Sequence, residues 1–218
     1  MSTIKTNQIQ HTANGAVPFT LPGSDGSAGQ FMKTDGSGAL SFGSVSAPVI
    51  KEKFLLSCDG TSVSTSNGTV SITNVTGTQD IPTDNTTTFT GSEISYQPPT
   101  GTTCVIYEFI SSFGGGATDG IWNTALYIDG TYIVYSTLTS RGYSNGSSPL
   151  NFKWAINIGG TADNNTGRQA SWNSAKTLLL RARVYSSSYS QVGHKIVHNN
   201  GFGGGDFKQP QIGITAIG

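Results

Sequence analysis

The sequence predicts an all-β protein, with an extended N-terminal β arm followed by a jelly-roll-like β-sandwich. Three observations predict it. Apolar and polar residues alternate with period two in run after run, with no helical intervals between the runs. Turn-forming residues are abundant, with 29 glycines in 218 residues, while the strong helix formers Ala, Leu, Glu, Lys and Arg are scarce. Aromatics make up 10% of the chain and cluster in strand-like runs, so a core can be buried although only 11% of residues are charged.

Residues 1–45 read as the arm and residues 46–218 as the head. The arm is polar, rich in Gly and Ser, and nearly free of charge. Ser24-Asp25-Gly26-Ser27 is echoed ten residues later by Thr34-Asp35-Gly36-Ser37. Asp-Gly supplies the positive φ that tight hairpin turns need. The expectation is very short strands joined by tight turns, with single apolar residues on one face. One such ribbon cannot bury enough surface to be stable alone, but several wound together can.

Ser2, Ile4, Lys5, Asn7, Ile9 and Gly15 open the chain in a pattern that resembles the N-terminus of many tailed-bacteriophage tail-fibre and virion-appendage proteins, notably those of marine phages. The stretch LPGSDGSAGQFMKTDGSGALSF, residues 21–42, is similar to a short element of the same proteins and is the more specific part. The resemblance covers about one fifth of the chain. It implies intertwined, threefold β structure near a virion attachment point. It also implies a homotrimer whose partners are other virion proteins, a tail adaptor or the capsid. On that basis Ile4, Ile9, Val17, Phe19, Leu21, Phe31, Leu40 and Phe42 are the residues expected to dock the arm.

In the head, residues 49–56 fit a strand or one turn of helix, and residues 69–75 alternate as a half-buried strand. Residues 86–89 and 93–96 follow as short strands, and Gln97-Pro98-Pro99-Thr100-Gly101 is a firm break. The strongest strand is 103–110, dense in β-branched and aromatic residues. Residues 124–128 and 132–136 flank Asp129-Gly130, a hairpin signal. Residues 152–158, 178–185, 195–198 and 211–217 complete the set, with long loops expected at 111–120, 140–150, 159–176 and 199–210. Such loops cross between sheets in a jelly roll. A strand that ends the chain suits the middle of a jelly-roll sheet, as in tumour-necrosis-factor-like trimeric heads, an analogy of fold alone.

Composition excludes several function classes. Lys and Arg number 12, Asp and Glu 12, and no basic run exists, so nucleic acid is not an expected partner. No apolar run approaches membrane-spanning length and the first residues lack a signal-peptide core, so membrane insertion is not expected and assembly in a host cytoplasm is. Cys58 and Cys104 read as two free, largely buried thiols, with a disulfide between them as the alternative.

No cofactor, metal site or catalytic constellation is expected. Glycosidase chemistry needs two carboxylates roughly 5–10 Å apart. Most carboxylates here sit at turns, among them Asp25, Asp35, Asp59 and Asp129. Glu108, inside a strand, reads as an exposed residue or one paired with Arg181 or Arg183. His194 and His198, four apart on a strand, would lie roughly 13 Å from each other, too far to share a zinc ion. The Gly114–Gly116 and Gly203–Gly205 runs lack the lysine and helix of a phosphate loop.

Loop aromatics and amides suit sugar recognition, because sugars stack on ring faces and pair their hydroxyls with planar polar groups. Tyr143, Asn145, Asn164, Asn165, Arg168 and Trp172 are the expected contacts if the head binds a host-surface polysaccharide. Packing is the favoured role for Trp122 and Trp172, with glycan contact the alternative, and Trp154 reads as core. The function expected is a non-enzymatic structural appendage of a virion. The rivals are a capsid decoration or head-fibre protein without receptor activity, and a free carbohydrate-binding module.

Overall fold

Val105, Tyr107, Phe109 and Phe113 are fully buried, and Ile106, Glu108 and Ile110 between them are partly exposed. The period of two is therefore a two-faced strand, with one face in the core and the other outside. The computed structural model describes residues 7–9, 18–44, 48–115, 120–142, 146–188, 191–197 and 206–218. The chain divides into two units, Met1–Pro48 and Val49–Gly218.

In the first unit β1 (Gln8–Ile9) pairs with β2 (Phe19–Thr20), and β3 (Phe31–Thr34) pairs with β4 (Leu40–Gly43), both antiparallel. The second Asp-Gly pair makes the β3–β4 turn. Asp35 Oδ1 accepts the N–H of Ser37 at 2.8 Å and that of Ala39 at 3.1 Å, and Gly36 takes φ 82°. Those two N–H groups hold the Asp35 carboxyl below the usual carboxylate range. The first Asp-Gly pair is not a second copy of this hairpin. No described strands pair across it, and Gly29 rather than Gly26 takes the positive φ. Gly26 instead lies against the ring of Phe42, where a Cβ would come within 2.6 Å.

The strands of the second unit are β5 (Ile50–Ser57), β6 (Ser62–Thr65), β7 (Gly68–Ser71), β8 (Gln79–Asp80), β9 (Ile94–Tyr96), β10 (Cys104–Gly115), β11 (Gly120–Ile128), β12 (Thr131–Tyr132), β13 (Leu138–Gly142), β14 (Ser147–Asn157), β15 (Lys176–Val184), β16 (Gln191–Gly193) and β17 (Gln211–Ile217). One sheet runs β5-β17-β10-β14, with β16 and β8 extending it where β10 outruns β17. The other runs β9-β15-β11-β13, with β12 continuing the β13 side. Numbering the eight principal strands in chain order gives 1-8-3-6 and 2-7-4-5. That is the strand order of a jelly roll, two Greek keys folded face to face. The chain-terminal β17 lies between β5 and β10, the central position the sequence predicts.

Aromatic side chains fill the space between the sheets. His194, Phe89, Phe113 and Trp122 stack in a column, with successive centroids 4.5, 5.0 and 3.9 Å apart. Polar groups of the buried Tyr107, Ser92 and Tyr96 find partners within the fold. Tyr107 donates to the Ser92 carbonyl at 2.6 Å, and Ser92 Oγ accepts the Leu180 N–H at 3.0 Å. Tyr96 donates to Glu52 at 2.7 Å, joining β9 of one sheet to β5 of the other.

Several expected boundaries move. Residues 111–115 continue β10, and the expected loop 140–150 is mostly β13 and β14. Their Ser and Gly residues look loop-like, but small residues are what the packing requires. Gly120 and Gly142 make room for the Gln191 side chain, and Gly114 for that of Lys195. Residues 86–89 are not a strand, because Asp84 accepts from both the N–H and the hydroxyl of Thr86 and turns the chain so that Phe89 enters the core. Residues 195–197 are not a strand either. His194 takes φ 60° and Lys195 retains only an isolated bridge to Phe207. The expected strand at 132–136 ends at Tyr132, and Val134–Ser136 is a 3-10 turn. The Asp129-Gly130 hairpin stands as expected, with φ 48° and 77°, the positive pair of a tight β turn.

Candidate functional site

The outer face of the β9-β15-β11-β13 sheet gathers the most chemistry. On β11 the inward residues Trp122, Thr124, Leu126 and Ile128 alternate with outward Asn123, Ala125 and Tyr127. On β15 the outward positions are Leu179, Arg181 and Arg183. The register sets Asn123 opposite Arg183, Ala125 opposite Arg181 and Tyr127 opposite Leu179. Ala125 is small between two larger neighbours, which leaves a depression of about 350 Å³ there. Tyr132 and Thr137 rim it on one side and Asn85 on the other.

The two arginines have no carboxylate partner among the described residues; the one ion pair described there joins Lys176 to Asp129 at 2.9 Å. Arg181 lies over the ring of Tyr127, 4.2 Å from its centroid, and donates a long 3.4 Å bond to the Asn85 carbonyl. Tyr127 is in turn tilted against Tyr132, centroids 5.5 Å apart. The Nε atoms of Arg181 and Arg183 are buried without a hydrogen-bond partner. Asn123 donates to Thr139 at 2.6 Å and Tyr132 pairs with Thr137 at 2.6 Å, so the polar rim is held in place. The Asp129 carboxyl, which burial would raise, is drawn lower by Lys176 and the Thr177 N–H. Together these contacts fasten the hairpin end to β15.

The residues expected to contact glycan do not form one site. Asn164, Asn165 and Arg168 are exposed on a turn organised by Asp163, which accepts the Asn165 N–H at 2.9 Å and the Thr166 hydroxyl at 2.9 Å. That turn is tied to the 3-10 segment by Tyr135 N–H donating to the Asn165 carbonyl at 2.9 Å. Trp172 is buried, donates its indole N–H to the Tyr96 carbonyl at 3.1 Å and meets the Tyr96 ring edge-on. At 5% exposure it has little ring surface open to a ligand. Tyr143 and Asn145 lie outside the described residues.

In the arm, Ile9, Phe19 and Phe31 are exposed, while Leu21, Leu40 and Phe42 are partly buried. Ile4 and Val17 lie outside the described residues. Glu108 faces outward on β10 opposite Lys153 of β14, whereas Arg181 and Arg183 belong to the other sheet, so neither is its partner. His194 is buried, shares a 2.7 Å hydrogen bond between Nδ1 and Ser111 Oγ, and is pulled by burial to a pKa of about 4. His198 lies outside the described residues. Both cysteines are free, and burial, with Asp59 nearby, pushes the Cys58 thiol up to about 12.

No family model matches the chain, and no curated protein does. A solved structure of infectious bursal disease virus, Gx strain, is similar over 82% of this chain and 42% of its own, at 10% identity and a TM-score of 0.38. The chain thus spans less than half the length of that protein. At that level of likeness nothing about function transfers.

Proposed function

We propose that this chain is a structural component of a virus particle, a homotrimeric appendage whose arm docks to other virion proteins and whose jelly-roll head points outward. The observation that carries this reading is the uncovered apolar surface of the arm. Every residue of β1, β2 and β3 is exposed, including Ile9 at 55%, Phe19 at 43%, Phe31 at 45% and Met32 at 50%. Two-stranded ribbons of this length are not stable in water with such side chains bare. They need neighbours, either the same ribbon from two more copies or a docking partner. The resemblance of residues 21–42 to phage appendage proteins points to the particle as that partner.

The head contributes a rigid scaffold, and jelly rolls serve as both capsid and lectin domains. That breadth leaves the arm, rather than the head, as the support for a virion role. The same arm would serve a capsid decoration that clamps capsomers. Purified particles of the virus encoding this chain should contain it at fixed stoichiometry, with threefold density at a tail or capsid site. Its absence from washed particles would overturn the reading.

A further inference from the structure

We propose that the depression on the outer face of the β11–β15 sheet binds an acidic saccharide, its anionic group held by Arg181 and Arg183. As biology this rests on the reading of the head as outward-facing, but the binding itself belongs to the isolated protein. The two guanidinium groups occur at alternate positions of one strand, on the same face and beside a hollow. No described carboxylate neutralises either of them, and their Nε–H donors are buried without an acceptor. Both side chains line the hollow and are only partly buried, so an anion arriving there meets two unneutralised guanidinium groups. The Arg183 guanidinium makes no hydrogen bond to a described residue, so its planar fork is left to take a carboxylate or sulfate in two parallel bonds. Arg181 is steadied by Tyr127 beneath it, so less side-chain freedom is lost when a ligand binds.

The rest of the lining selects a sugar over a bare ion. Tyr132 is 41% exposed at the rim and offers a ring face for the apolar side of a pyranose. Asn123 and Asn85 bring planar amides, and Thr137 a hydroxyl, within the same hollow. A volume of about 350 Å³ is at the small end of ligand pockets, the scale of one or two sugar rings rather than a helix. This location differs from the loop residues the sequence suggested. It is a sheet face, and strand register sets Asn123, Ala125 and Tyr127 beside Arg181 and Arg183.

The test uses the purified full-length protein with trigalacturonate, its neutral methyl ester, dextran sulfate and poly-glutamate as probes in calorimetric titrations. Saturable binding of trigalacturonate or dextran sulfate, but not of the ester, is expected, and the polymer that binds identifies the anion as carboxylate or sulfate. Arg183→Gln should weaken it roughly tenfold or more, and Arg183→Lys by less. Tyr132→Ala, at an exposed position, should also weaken binding in the folded variant. Lys153→Gln, on the opposite sheet, should leave it unchanged. No binding of either acidic sugar polymer by the wild-type protein, or equal binding by folded Arg183→Gln, would overturn the proposal. Tighter binding of poly-glutamate than of both sugars would overturn it in favour of an acidic protein segment. None of these results depends on particle incorporation, so the site and the virion role stand or fall separately.

Discussion

The imidazole of His194 lies flat on the ring of Phe89, with centroids 4.5 Å apart and planes 3° from parallel. The stack continues through Phe113 to Trp122, so a titratable ring forms the end of the main aromatic column. Burial favours the neutral ring and lowers its pKa to about 4 from the ordinary 6.5, against a smaller raising effect of the Thr90 backbone. The unfolded chain therefore takes up a proton at a higher pH than the folded one. Stability from this group is complete above about pH 6.5 and is lost as pH falls toward 4, by about 3 kcal/mol in all. Urea unfolding at stepped pH should record that loss. His194→Asn, which tolerates the positive φ, should flatten the slope between pH 6.5 and 4 while lowering stability throughout. An unchanged slope in the variant would remove His194 as the cause.

Trp172 provides a second check. Because its indole donates to Tyr96 and packs on the Tyr96 ring, Trp172→Ala should destabilise the head by roughly 3–5 kcal/mol. Chemical denaturation measures this directly. A fully stable variant that had lost glycan binding would restore the surface role expected from the sequence.

Gly91 takes φ 80°, and a Cβ there would come within 2.7 Å of Val75 Cγ2 and 3.3 Å of Cys58 Sγ. Gly91→Ala should cost roughly 1–3 kcal/mol through strain and overpacking. A variant as stable as the wild type would mean that the Cys58–Val75 layer is looser than described.

The sequence made the jelly roll legible where strands are self-evident. Residues 211–217 and 104–110 are rich in β-branched or aromatic residues, and Asp129-Gly130 can hardly be anything but a turn. Long-range packing hid the rest. Residues 111–115 look like a loop because Ser111, Ser112 and Gly114, which accommodate His194 and Lys195, carry no strand signal of their own. Phe89 looks like part of a strand, but it is a core plug set by the turn at Asp84. The arginine hollow was not read from sequence at all. Arg181 and Arg183 alternate visibly, yet their relation to Asn123, Ala125 and Tyr127 exists only once β11 and β15 pair in register. That pairing spans some 60 residues and no local pattern announces it.

Assembly state is a fourth prediction. The exposed apolar residues of β1–β3 should be covered by two further copies of the chain, so sedimentation of the full-length protein should give the mass of a trimer. A monomer whose arm resists proteolysis would show that the arm needs no neighbours.

The central claim is that the arm attaches this protein to a particle, and deleting residues 1–43 tests it most directly. The second unit holds the whole jelly roll, so the truncated protein should fold and unfold at nearly the wild-type midpoint. Expressed in place of the full chain during infection, it should accumulate in the cell and be absent from purified particles. Truncated protein present in particles at the wild-type level would contradict the account.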